Sequence, residues 1–271
     1  MQRQRKQKKQ RKRKEKMKLG KKGESTRLKR KPAPKIWPIH RKEYTWVVKP
    51  KPGPHPILEC LPLTLLIRDV LGLAKTHKEA KLIVSQGKII VDNKVRKDDL
   101  FPTGLMDVIS VPEIGVSYRL LPTEKGLIPH QLKNKEEAFK LCRIEEKLTL
   151  KNGHQQIHLH DGTNLLFKTT QGADNKEVKE FKKFDTLKIS LLDKSVLTHI
   201  KMVEGATAIV VGGKNRGKHG TIAEIEKRTG KKRPNLLVTL KDKNGNIFKT
   251  TMNFVFLIGE TLPAISLPEG V

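Results

Sequence analysis

Cysteine is nearly absent from this 271-residue chain: Cys60 and Cys142 lie far apart and outside any CxxC spacing. That excludes a disulfide framework and a cysteine-based zinc site, and a reducing compartment is expected. Aromatic residues are scarce, 4% of the chain, so base-stacking platforms are not expected to dominate any nucleic-acid contact. No apolar run approaches the length of a membrane span. The N-terminus lacks the apolar core of a secretory leader. Acidic residues are also few: 28 Asp and Glu stand against 57 Lys and Arg, a net charge of +29. An excess of this size points to a polyanionic partner.

The charge is unevenly placed, with more than half of the net within residues 1–42. Residues 1–31 form a Lys/Arg/Gln run with too few apolar side chains to offset chain entropy, so a disordered basic tail is expected. Two readings stay open: a tail that threads between RNA helices, or an upstream extension with Met17 as the functional start. Residues 32–58 carry seven prolines, each fixing φ and removing a donor, and read as an extended arm. Trp37, Tyr44 and Trp46 within it either stack on exposed bases or pin the arm to its neighbour; pinning is the favoured reading.

Residues 59–112 read as a small α/β unit. A first helix opens at Pro62, carries Leu63, Leu66, Ile67, Val70 and Leu71 on one face, and stops at Gly72. A second opens on Thr76-His77-Lys78-Glu79, which has capping-box spacing, faces Ala80, Ile83 and Val84 inward and closes at Gly87. Ile89–Val91 and Val95 flank Asp92-Asn93, a two-residue hairpin turn that needs positive φ. A hairpin leaving such a helix packs on it, which gathers Lys75, Lys78, Lys81, Lys88, Lys94, Arg96 and Lys97, with Arg68 of the first helix, as candidate phosphate contacts. The alternative is a solvated surface whose lysines only maintain solubility. The strand Gly104–Val111 is expected to finish this unit.

Residues 113–200 read as a β-rich unit. Asn134-Lys135-Glu136-Glu137 has the signature of a helix start leading into Ala138-Phe139 and Leu141-Cys142. Asn152-Gly153 and Asp161-Gly162 mark hairpin turns, residues 171–183 an exposed polar loop, and Thr186–Leu191 a strand. His154, His158, His160 and Asp161 invite a metal reading, but no third convergent ligand can be argued, and a polar strand face is the simpler account.

Residues 201–258 read as a small barrel-like sheet in which Ala206–Val211 leads to a glycine-rich basic loop, Gly212 to Gly220, and then an alternating strand from Thr221. The loop nearly matches a phosphate-binding P-loop. His219 replaces the magnesium-holding hydroxyl, however, and a strand follows where a helix N-terminus is needed. Close approach of the loop backbone to RNA, with Lys214, Asn215, Arg216 and Lys218 as contacts, is the preferred use. Residues 259–271 are a C-terminal extension.

Three resemblances attach to these stretches. Thr76-His77-Lys78-Glu79-Ala80, followed by Ile83 to Lys94, resembles the S4-type RNA-binding domain, which implies RNA contact by the second helix and the hairpin. Strand, Gly212–Gly220 loop and strand together resemble the KOW motif, which implies an SH3-like β-barrel. The whole order, from Leu28 to Trp37 through Pro52-Gly53-Pro54-His55, Phe101 to Ile109, His160 to Asn164 and Gly212 to Asn215, is similar to the archaeal and eukaryotic S4e family of small-subunit ribosomal proteins over roughly residues 24–271. The resemblance implies an α+β multidomain chain with a disordered tail, an S4-type unit, a central β-rich domain and a KOW barrel. It implies a structural, non-enzymatic constituent of the small subunit, cytoplasmic and ribosome-bound. Its partners would be small-subunit ribosomal RNA and neighbouring ribosomal proteins, with no membrane, small-molecule substrate, cofactor or metal. Lys29, Arg30, Lys31 and Lys35 join the RNA-contacting set on this basis. An RNA-modifying enzyme and a transcription elongation factor are the rival classes. The first would need a catalytic constellation that the central unit does not display.

Overall fold

A computed structural model describes residues 27–132, 136–168, 180–228, 235–242 and 245–268. The part of the basic tail that precedes residue 27, residues 171–179 of the expected polar loop and Asn244 of the last hairpin turn lie outside these. The described chain is β-rich with few helical residues and is built on three five-stranded sheets and two short ribbons.

The N-terminal ribbon pairs β1 (Leu28–Lys29) with β2 (Trp46–Val47). Leu28 and Lys29, which fall within the expected tail, are thus part of a strand pair. The arm is not extended throughout. Between β1 and β2 it folds into turns, because the Arg41 guanidinium donates to the carbonyls of Ala33 and Pro34, both at 2.8 Å. Trp37 pins it as expected: the side chain is 2% exposed and its Nε1–H donates to Cys60 O at 2.6 Å.

β3 (Leu61–Pro62) pairs with β6 (Pro102–Thr103) and leads into α1, Leu63–Leu65 continuing as a wider π-type turn over Leu66–Val70. Residues 63–67 are all fully buried, so the first part of α1 is enclosed all round, while Asp69 in its last turn is exposed. The second helix, α2 (His77–Ser85), has the capping box that its sequence calls for: Glu79 N–H donates to Thr76 Oγ1, and the Glu79 carboxylate accepts from Thr76 N–H. Gly87 closes it at φ +77.

β4 (Ile90–Val91) and β5 (Lys94–Val95) follow around Asp92 and Asn93, at φ 50 and 59. That is the left-handed pair a two-residue hairpin demands. β7 (Val108–Val111) does not finish this unit. It lies at the centre of a sheet ordered β5-β4-β7-β8-β9, with β8 (Val116–Thr123) and β9 (Gly126–Gln131) beyond it.

Asn134 and Lys135 of the expected helix start lie outside the described residues, and Phe139, Leu141 and Cys142, read as its continuation, belong instead to β10 (Phe139–Thr149), an 11-residue strand. It is the middle of the second sheet, ordered β12-β11-β10-β13-β14, with β11 (Gln155–Leu159), β12 (Asn164–Phe167), β13 (Thr186–Ser190) and β14 (Val196–Ile200). Burial on both faces, Phe139 and Leu141 in one core and Cys142 and Ile144 in another, outweighs the local helix-start signal. The turns at Asn152-Gly153 and Asp161-Gly162 fall where the sequence places them.

The third sheet, β18-β17-β16-β15-β19, comprises β15 (Thr207–Val210), β16 (His219–Arg228), β17 (Asn235–Lys241), β18 (Ile247–Thr251) and β19 (Val255–Gly259). The units share their interiors. One apolar core runs from Leu105, Met106 and Leu121 through Phe139 and Leu141 to Ile209 and Phe256. The C-terminal residues fold back as well: Ser266 donates from N and Oγ to the Glu136 carboxylate at 3.1 and 3.0 Å.

Candidate nucleic-acid interface

The cations separate into those exposed to solvent and those consumed inside. Lys75, Lys78 and Lys81 are exposed on or just before α2, and Lys94 and Lys97 are exposed on and after the hairpin. Capping fixes the start of α2 and Gly87 its end. Lys97 lies beside that end, its Cε 3.8 Å from where a Cβ on Gly87 would fall. Of the hairpin lysines, Lys97 is thus placed beside the end of the helix.

Others of the set are partly spent. Lys88 pairs with Glu113 at 2.9 Å, and Arg68 is bidentate to Asp69 at 2.6 and 2.9 Å. Arg96 lies over the Phe101 ring at 4.3 Å. Arg30 is a correction. It is 5% exposed and donates to His40 O at 2.7 Å, so it holds the arm loop and does not face solvent. Lys29, Lys31 and Lys35 are exposed around the same loop.

Lys94 faces Lys194, from the turn between β13 and β14, closely enough that the second ammonium holds the first below its ordinary pKa. Two ammonium groups so placed repel each other, and an anion between them relieves this.

The C-terminal loop forms a second patch. Lys214 is exposed, Asn215 Nδ2 donates to Lys249 O at 3.4 Å, and Lys218 lies 5.7 Å from the Phe248 ring. Two of its glycines have internal reasons of their own. A Cβ at Gly212 would sit 2.6 Å from Phe254, and one at Gly220 would sit 2.3 Å from Lys241 O. The loop runs into β16, not into a helix, so it lacks the helix N-terminus of a phosphate-binding loop.

Between the basic hairpin and the central sheet lies a buried ionic cluster that charge counting does not reveal. Lys140 Nζ, on β10, sits 2.6 Å from Asp107, 2.8 Å from Asp92 and 3.2 Å from Asp161. His55 of the arm bonds Asp107 at 3.1 Å, and Gly104 N–H donates to the same carboxylate at 2.8 Å. Asp92 is the hairpin-turn residue, so this cluster fixes the β4–β5 hairpin to the central sheet.

Burial works against each charge in the cluster, and the partners decide the outcome. Lys140 is raised well above its ordinary range by Asp107 and Asp92. Asp161 falls to about 2 because Lys140 outweighs its burial. Asp92 rises to about 6, from burial and the adjacent Asp107 carboxylate. His160 falls to about 3 through burial and Lys140. Its Nδ1 accepts from Arg143 N–H at 3.2 Å and its Nε2 lies 3.2 Å from Leu105 O, so both ring nitrogens are engaged. Among the described residues, no group of three or more His, Cys, Asp or Glu is placed to hold a metal ion.

Relatives of the whole chain agree with one another. It is 46% identical over 253 residues to a protein named small ribosomal subunit protein eS4 in Aeropyrum pernix, covering 93% of this chain and 99% of that one. It is 45% identical over 255 residues to the protein of the same name in Staphylothermus marinus, with the same two coverages. The chain belongs to ribosomal family S4e. The S4e family description itself matches residues 114–196, and the RS4NT (NUC023) domain matches residues 22–58. The crystal structure of the 30S ribosomal protein S4e from Thermoplasma acidophilum superposes with a TM-score of 0.61 at 27% identity, covering 75% of this chain and 96% of that one. In this S4e chain the cations that sequence reasoning missed are internal clamps: Lys140, Arg41 and Arg143, whose Nη1 donates to Asn253 O at 2.9 Å and Val255 O at 3.0 Å. One sequence signal marks Lys140: it stands between Phe139 and Leu141-Cys142, apolar neighbours that a buried strand carries inward.

Proposed function

We infer that this chain is a structural constituent of the small ribosomal subunit, which binds and organises its RNA through two exposed basic patches. The observation that carries the reading is whole-length similarity to proteins named small ribosomal subunit protein eS4. The net charge of +29 fits a polyanionic partner.

The first patch is the S4-type unit, where Lys75, Lys78, Lys81, Lys94 and Lys97 follow a phosphate backbone. Lys94 and Lys194 share one phosphate across the seam between the hairpin and the central sheet. The second patch is the KOW-like loop, with Lys214 outermost. The buried clusters hold these patches at fixed spacing, so that the protein reads the shape of folded RNA by backbone contact and not by base sequence. The role uses no covalent step. Neighbouring ribosomal proteins complete its surroundings, and its place is with cytoplasmic ribosomes.

The reading is tested by filter binding of the full chain to folded small-subunit RNA across salt concentrations. Tight binding that weakens steeply with salt supports it. Affinity no greater than that of an unrelated basic protein contradicts it.

A further inference from the structure

The two tryptophans have opposite fates. Trp37 is accounted for by its buried hydrogen bond to Cys60. Trp46 is 50% exposed, although its strand neighbour Val47 is buried, and Tyr44, two residues earlier, is 63% exposed. In a chain with 4% aromatic residues, two large rings left in water on one ribbon call for a partner.

Cations surround them. The Arg27 guanidinium and the Lys29 ammonium lie 5.8 and 5.9 Å from the Trp46 ring centroid; the Arg30 guanidinium, 4.9 Å from that of Tyr44, is buried and supports the ring from within the arm. Trp46 lines two concavities of about 1000 and 600 Å³, and Arg68 and His77 line both as well. The indole is thus a ridge between two hollows. The smaller hollow is lined by Arg27, Lys49, Arg68 and His77 with no Asp or Glu.

We propose that Trp46, with Tyr44 beside it, is a stacking platform for an unpaired RNA base, whose flanking phosphate enters the smaller hollow. This rests on the RNA-binding reading and adds a second kind of contact to it: an aromatic face for a single-stranded loop or bulge, beside the lysines that follow paired backbone. The charge selects the ligand. The smaller hollow carries four basic side chains and no carboxylate, whereas the larger one also carries Glu43 and Asp69. A base presents a π-face of any sequence together with an anionic backbone, which matches both features.

The experiment compares the full chain with W46A and W46F, using an unpaired adenylate octamer and a blunt RNA duplex as probes. Trp emission and affinity are both followed. The octamer is expected to quench emission in the parent. W46A is expected to lose between about 5- and 150-fold in octamer affinity while duplex affinity stays within about twofold, and W46F is expected to retain most of the octamer affinity. Equal octamer affinity for parent and W46A, or no quenching on binding, would overturn the platform and leave the RNA-binding reading standing. A parent that binds neither probe would overturn both. W46F melting with the parent excludes loss of fold as the cause.

Discussion

Replacing Lys140 by Met leaves the volume of the site almost unchanged but removes the one ammonium that three carboxylates share. Asp107 and Asp161 then lie buried without their cation, 1% and 8% exposed at the side chain. Removing one partner of a buried ion cluster costs roughly 3–5 kcal/mol, because the remaining charges are left uncompensated. Asp161 alone accounts for about 2 kcal/mol at neutral pH, given its fall from 3.8 to about 2. In a chain of this size each kcal/mol shifts the melting temperature by roughly 2–4 °C, so a fall of about 6–20 °C is expected by calorimetry at pH 7.

The pH dependence separates this cause from a simple packing defect. In the parent, Asp107 and Asp161 have depressed folded pKa values. Their stabilisation is complete above the unfolded value near 4 and is lost as pH falls below it. Asp92 is raised, so it favours the folded state increasingly as pH falls from about 6 to 4. His55 is raised too, and its stabilisation is present below 6.5 and lost as pH climbs through its folded value. The parent should therefore be most stable in mildly acid solution. Without Lys140 the carboxylates take up protons more readily, so the penalty should shrink steadily from pH 7 to pH 4. A variant that melts within 2 °C of the parent, or a penalty that does not change with pH, would refute this account of the seam.

Further outcomes are expected elsewhere. Substituting Lys75, Lys78 and Lys81 together by Ala should reduce the slope of log affinity against log salt by roughly 2–3, measured by filter binding. Arg30→Ala should lower the melting temperature, at a cost of roughly 1–3 kcal/mol, yet leave that slope unchanged, because Arg30 bonds His40 O within the arm. Gly126→Ala should destabilise by more than about 1 kcal/mol in chemical denaturation. Gly126 has φ +140, and a Cβ there would lie 1.9 Å from Ile36 O.

Local signals were legible wherever the chemistry is local. Thr76 and Glu79 announce a cap, Asp92-Asn93 a left-handed turn, and Asn152-Gly153 another, and each forms where expected. The helix lysines are exposed because Ala80 and Val84 turn the other face of α2 inward. What failed is decided at a distance. The helix-start signal at Asn134 to Glu137 gives way to β10 because Phe139 and Leu141 pair across to β13, some 50 residues on. Arg30 reads as one more basic residue, and only the folding of His40 against it makes it a clamp. Trp37 and Trp46 are indistinguishable by composition, and their roles diverge because one meets Cys60 and the other meets water. The shared core and the Lys140 seam join residues from the arm to the last strand, and no spacing rule brings those together.

The most direct test of the central claim is quantitative mass spectrometry of salt-washed small subunits from the source cells. One copy of this chain per subunit, retained through the wash, is the predicted result. Absence from the particles, or recovery only in the wash at a small fraction of the other subunit proteins, would contradict it.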